Sequence, residues 1–119
     1  MTGILVRYFK IEEFDCQETG NNEMNQDFLN ILDQLRDRCN FPFKITSGYR
    51  DPTHPLELKK EKPGTHSQGI AADIQILNGK DRYTLLSTAF NMGFTGIGIA
   101  KTFIHLDIRS TQPVVWTYS

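Results

Sequence analysis

Two short segments hold the residues best suited to chemistry. Thr65-His66-Ser67-Gln68-Gly69-Ile70-Ala71-Ala72-Asp73 and Phe103-Ile104-His105-Leu106-Asp107 contain two of the chain's three histidines and two aspartates, each backed by apolar residues. Imidazole nitrogen and carboxylate oxygen are ligands that suit zinc. Alternate side chains of a strand share a face, so His105 and Asp107 project together while Ile104, Leu106 and Ile108 face the other way. The same alternation sends Asp73 and Gln75 to one face and Ala72, Ile74 and Ile76 to the opposite one. If the two strands are neighbours, Asp73 and His105 converge. His66 stands seven residues before Asp73, across a Gly69 that permits a turn, so its imidazole can fold back beside the carboxylate. A His66, Asp73, His105 set offers three protein ligands and leaves the fourth tetrahedral position for water, the arrangement of a catalytic zinc site. Water in that position becomes a nucleophile near neutral pH. The same spacing also fits hydrogen-bonded polar residues at strand ends.

Positioning these groups requires strands, and the sequence supplies them. β-rich runs cover residues 43–46, 70–76, 94–99 and 103–108, with 114–118 as a fifth. Between residues 24 and 39 the positions Met24, Phe28, Ile31, Leu32, Leu35 and Cys39 recur with helical spacing and predict a helix with one buried stripe. A second helix is predicted from Asp81 to Met92, with Tyr83, Leu86, Ala89 and Phe90 on one face and Gly93 as its stop. Strands with helices packed to one side make an α+β fold, a small antiparallel-rich sheet under a helical layer. The irregular stretch 48–68 exceeds ordinary loop length, and such loops are often functional.

Composition narrows the classes. A chain of 119 residues with 39% apolar and 23% charged residues fits one compact domain, 1–119, with one site, and is expected to be monomeric. A net charge of −1 argues against a general grip on nucleic acid, and the brief basic run Lys59-Lys60-Glu61-Lys62 reads as a solvated loop. No stretch approaches the roughly 20 apolar residues that span a bilayer, and the N-terminus lacks the blocks of a signal peptide. A soluble protein is expected, exported, if at all, by another route. Cys16 and Cys39 are too few for a disulfide framework and read as free structural thiols.

The order of segments carries more than any one of them. Ser47-Gly48-Tyr49-Arg50, then His66 to Asp73 as His-x-x-Gly-x-Ala-x-Asp, then Gly96-Ile97-Gly98 leading to Phe103-Ile104-His105-Leu106-Asp107, strongly resembles the zinc D-alanyl-D-alanine carboxypeptidase family. Its relatives include phage endolysin peptidases and the hedgehog-type zinc fold. The likeness extends to the opening Phe9-Lys10-Ile11-Glu12-Glu13-Phe14-Asp15-Cys16 and the closing Val115-Trp116-Thr117-Tyr118. The resemblance implies a hedgehog/D,D-peptidase-like fold, zinc ligands at His66, Asp73 and His105, and an Arg50 that anchors a carboxylate of a peptide substrate. A guanidinium fork suits that role through paired hydrogen bonds. The alternative for Arg50 is a surface ion pair with Asp51 or another acid.

One departure from the family pattern concerns the general base. Thr102 stands three residues before His105, so neither the Glu-x-x-His nor the Asp-x-x-His form of relatives is present. Asp107 is the best remaining candidate, as catalytic base, as a support for an imidazole, or as a purely structural group. His54 is a solvent-exposed loop histidine or an auxiliary donor to an oxyanion. Ser47 and Tyr49 contact substrate, unless Tyr49 only packs its loop on the core. Trp116 and Tyr118 read as core or edge aromatics rather than ligand platforms.

Three functions follow. The first is a zinc peptidase hydrolysing a bond in peptidoglycan stem peptides, of D,D-carboxypeptidase or L,D-endopeptidase type, of the size of a phage lysis or virion-associated enzyme. The second is a zinc-binding module of the same fold, inactive and structural or cell-wall-binding. The third is a metal-free interaction domain.

Overall fold

A computed structural model describes residues 6–55 and 64–118. The basic run at residues 59–62 lies outside the described residues. Five strands, β1 (Ile45–Ser47), β2 (Ala71–Gln75), β3 (Gly96–Ile99), β4 (Phe103–Asp107) and β5 (Val114–Thr117), form one sheet in the order β1-β2-β4-β3-β5. The β1–β2, β2–β4 and β3–β4 pairs are antiparallel and β3–β5 is parallel, which makes an α+β fold on a mixed, antiparallel-rich sheet. Two helices, α1 (Gln26–Cys39) and α2 (Gly79–Met92), pack on each other and on one sheet face, and a 3-10 turn covers Ile11–Phe14.

The helices start where side chains replace missing backbone partners. Asn25 accepts from the Phe28 N–H at 2.9 Å and Asn78 from the Asp81 N–H at 2.8 Å, each satisfying a donor that the first turn leaves unpaired. The cap at Asn25 leaves Met24 outside α1, although Met24 is buried. Phe28, Leu29, Leu32, Leu35 and Cys39 form the buried stripe of α1.

The apolar face of the second helix is divided between core and solvent. Leu85 and Ala89 are its buried residues, with Leu86 and Met92 partly covered, whereas Tyr83 is 76% and Phe90 53% exposed. Of the predicted face Ala89 and Leu86 turn inward, and packing against α1 brings Leu85 and Met92 in beside them in place of Tyr83 and Phe90. Periodicity defines a helix but not which of its apolar residues face the core.

Adjacent residues of the central strands serve opposite layers. Ala72 and Ile74 of β2, Ile97 of β3, and Ile104 and Leu106 of β4 join the core beneath the helices. Asp73, His105 and Asp107 occupy the other face, and the β2–β4 register sets Asp73 directly opposite His105. Cys16 and Cys39 are buried free thiols.

Candidate metal centre

The β2–β4 ladder delivers two polar groups of the centre, and a loop delivers the third. The turn after residue 64 brings His66 back over β2, closed at Gly69, whose φ of 75° lies in the left-handed region that favours glycine. The turn is tied to the start of α1 by the Asn25 N–H donating to the Gly69 carbonyl at 2.8 Å. His66, Asp73 and His105 are all buried and form a group able to hold a metal ion.

The donor spacing fits a small tetrahedral ion. His66 Nε2 lies 3.3 Å from Asp73 Oδ1 and 3.2 Å from His105 Nδ1, and His105 Nδ1 lies 3.0 Å from Asp73 Oδ1. Ligands about 2.0–2.1 Å from a zinc at tetrahedral angles are about 3.3 Å apart. The outer nitrogens are committed elsewhere, which fixes the tautomers that present lone pairs inward. His66 Nδ1–H donates to the Gly48 carbonyl at 2.8 Å, and His105 Nε2–H donates to Asp107 Oδ2 at 2.7 Å.

Asp107 is fully buried and engaged at both oxygens. Arg109 donates from Nη2 to Oδ2 at 2.7 Å, from Nε to Oδ1 at 3.0 Å, and from its backbone N–H to Oδ1 at 3.0 Å. Burial pushes the Asp107 carboxyl up, but hydrogen bonds from His105 and Arg109 outweigh it and hold the group well below the usual carboxylate range. Asp73 behaves alike: burial raises it, and His105 and His66 pull it well below that range. Burial alone lowers His105, yet its two carboxylate neighbours, Asp107 and Asp73, raise it overall. The centre therefore keeps both carboxylates ionised at neutral pH, a donor set suited to a cation.

Above the donors opens a cleft of about 660 Å³, within the range of small-ligand sites. His66, Asp73 and His105 line it with Arg50, Thr65, Gln68, Phe103, Arg109, Trp116 and Tyr118. Trp116 reaches the cleft because β3 carries Gly98 beneath it, while Gly96 makes room for the Asp107 carboxylate. A Cβ at Gly98 would sit 2.7 Å from the indole, and one at Gly96 would collide with the Asp107 carboxylate. The cleared strand lets the indole stand against His105 with ring centroids 5.1 Å apart.

Arg50 is fixed through its backbone to the ligand loop. Its N–H donates to the His66 carbonyl at 3.2 Å, its own carbonyl accepts from Ser67 Oγ, and its Nη2 donates to Ser47 Oγ at 3.2 Å. The Asp51 carboxylate accepts from Asn21 Nδ2 at 2.7 Å and from Thr53. Ser47, Tyr49 and half-buried His54 line a smaller cavity of about 180 Å³ with Gln17 and Arg50, which lines both. Tyr49 is buried, its N–H donating to the Phe14 carbonyl at 2.7 Å and its hydroxyl to Glu23 at 3.4 Å, so it packs the loop on the core. Thr102 is exposed in the β3–β4 turn.

Arg109 and Phe103 line the cleft although sequence reasoning gave them no role, and Trp116 and Tyr118, read from sequence as core or edge aromatics, line it too. The alternation that pairs His105 with Asp107 reaches Arg109 two positions on, and the same rule links Trp116 with Tyr118.

None of the curated proteins compared matches the chain. The profile of the Peptidase M15 family matches residues 7–107, which takes in the Ser47-to-Arg50 turn, the ligand loop and both central strands. With that match over most of its length and a His, Asp, His group able to hold a metal, the chain belongs to the Peptidase M15 family of zinc-dependent peptidases.

Proposed function

We propose that the chain is one domain, 1–119, that hydrolyses a peptide bond in peptidoglycan stem peptides, with zinc held by His66 Nε2, Asp73 Oδ1 and His105 Nδ1. The observation that carries this reading is three donor atoms 3.0–3.3 Å apart at the base of a cleft whose wall includes Arg50. When bound, zinc supplies Lewis-acid polarisation of a carbonyl and a water whose pKa falls to about 7.

The remaining steps belong to the chain's own residues. Arg50 holds a substrate carboxylate through its guanidinium and sets the bond against the donors. Asp107 acts as a positioning residue rather than the proton acceptor: it is enclosed, doubly engaged by Arg109, and bonded to the outer nitrogen of His105. It holds the proton at His105 Nε2 and thereby keeps Nδ1 available to the metal. Stem peptides are short and carry free carboxylates, which match an open cleft bearing cationic groups. Action on the cell wall, in phage lysis or in wall remodelling, follows from that substrate, by D,D-carboxypeptidase or L,D-endopeptidase cleavage.

A second reading, a zinc-binding module without turnover, draws on one observation. Among the described residues lining the cleft, Asp73 is the single carboxylate, and it is already a donor. Zinc-loaded protein incubated with purified muropeptides, with products identified by mass spectrometry, separates the two. Cleavage is expected; full zinc occupancy with no product on any stem peptide selects the module. Purified protein that holds no zinc, with a melting temperature indifferent to chelator, overturns both.

A further inference from the structure

The cleft carries guanidinium groups on opposite flanks of the donor triad. The donors His105 and Asp73 sit on the central β4 and β2, Arg50 follows β1 at one edge of the sheet, and Arg109 lies over Trp116 of β5 at the other. Arg109 and Trp116 stand beyond the residues that the family profile matches.

Arg109 is held as a recognition group rather than only as a counter-ion. A guanidinium has two bidentate edges. Asp107 occupies the Nε–Nη2 edge at 2.7–3.2 Å. Nη1 makes no hydrogen bond among the described residues, the side chain is 27% exposed, and it lines the cleft. The guanidinium carbon stands 5.0 Å from the centre of the Trp116 ring, so carboxylate on one side and indole on the other fix the plane before any ligand arrives. Such preorganisation lowers the entropy lost when the second edge takes a carboxylate.

We propose that Arg109, seated on Trp116, is a second carboxylate-binding site, so that the cleft selects peptides bearing an acidic group on each side of the bond set against the triad. The inference rests on the peptidase reading for the bond being aligned, while the carboxylate site itself is testable by binding alone. Trp116 is the chain's one tryptophan and stands in the cleft, so its fluorescence reports occupancy without turnover.

The experiment titrates zinc-loaded protein with a stem peptide carrying a free D-glutamate α-carboxylate and a free C-terminus, and with its two mono-amides. Each amide is expected to bind wild-type protein about 10- to 100-fold more weakly than the diacid, the loss associated with a hydrogen-bonded charge. In Arg109→Gln the penalty for one amide should vanish while the other persists, and Arg50→Gln should show the reverse. Arg109→Lys, which keeps the charge but not the fork, should recover only part of the lost discrimination. Equal affinity of wild-type protein for all three peptides, an undiminished pattern in both Arg109 variants, uniform weakening of all three peptides by them, or no saturable signal overturns the proposal. Mass spectrometry of the same mixtures reads cleavage separately: cleavage without Arg109-dependent discrimination sinks this inference alone, and discrimination without cleavage sinks the peptidase reading alone.

Discussion

His66 and His105 bring the same chemistry to one point by different means. His105 stands on a strand, its position set by the ladders to β2 and β3 and its ring turned by a buried carboxylate. His66 stands on a loop, its ring turned by a backbone carbonyl of another loop, Gly48. The strand-borne half (Asp73, His105, Asp107) is electrostatic and buried, with half-buried Arg109 just past the end of β4 completing it. The loop-borne half (Gly48, Arg50, His66, Ser67) is a web of backbone hydrogen bonds. Each half is therefore vulnerable in its own way: charge changes should damage the first, and loosening of loop contacts the second.

The largest expected effect ignores this division. His66→Ala and His105→Ala should each abolish stoichiometric zinc, read by metal analysis of the purified protein, since two remaining ligands do not make a zinc site. Zinc that stays at one per chain in either variant shows the donor set to be wrong. Asp107→Asn then separates the halves. It removes the anion behind His105 and the partner of Arg109 without touching His66, and zinc affinity should fall about 10- to 100-fold. The competing assignment, Asp107 as proton acceptor, predicts unchanged zinc affinity and lost turnover.

Acidity sharpens the electrostatic half further. Asp73 and Asp107 have depressed folded-state values, so their contribution to stability is present above the ordinary carboxylate pKa of about 3.9 and disappears as pH falls through the folded values. His105 is raised, so its contribution is complete below about 6.5 and is lost as pH rises through its folded value. Metal-free protein should therefore melt highest between about pH 4 and 6.5. Zinc takes the place of the His105 proton, so loaded protein should keep its melting temperature above that window. A metal-free profile flat from pH 4 to 9 counts against this account.

The two halves also differ in how they could be read from sequence. Alternation along a strand brings Asp73 and His105 to one face, because a pleated backbone has a period of two. Carrying it past Asp107 would have reached Arg109, whose bonds to Asp107 lie beyond the end of β4. Nothing periodic brings Arg50 beside His66. Their association depends on backbone groups far apart in the chain, such as the Tyr49 N–H on the Phe14 carbonyl and the Asn25 N–H on the Gly69 carbonyl. Only the resemblance of motif order pointed to it. The shifted inner face of α2 has a related cause, since the choice between Tyr83 and Leu85 as the inner residue depends on what α1 presents.

Ser67→Ala tests the loop-borne half with the smallest change. The Ser67 hydroxyl donates to the Arg50 carbonyl and is one of the links between the ligand loop and the Ser47-to-Arg50 turn, the Arg50 N–H to the His66 carbonyl being another. Its loss should cost about 0.5–1.5 kcal/mol, the net worth of one hydrogen bond. Because the Arg50 N–H bond remains, His66 should stay in place and zinc affinity should hold. The consequence should fall on Arg50, whose guanidinium position depends on the turn beneath it. In a peptidase assay that predicts a KM raised a few-fold with kcat little changed, the pattern of weakened ground-state binding. A drop in zinc affinity instead, with KM unaltered, would place Ser67 with the metal centre and dissolve the division between the halves.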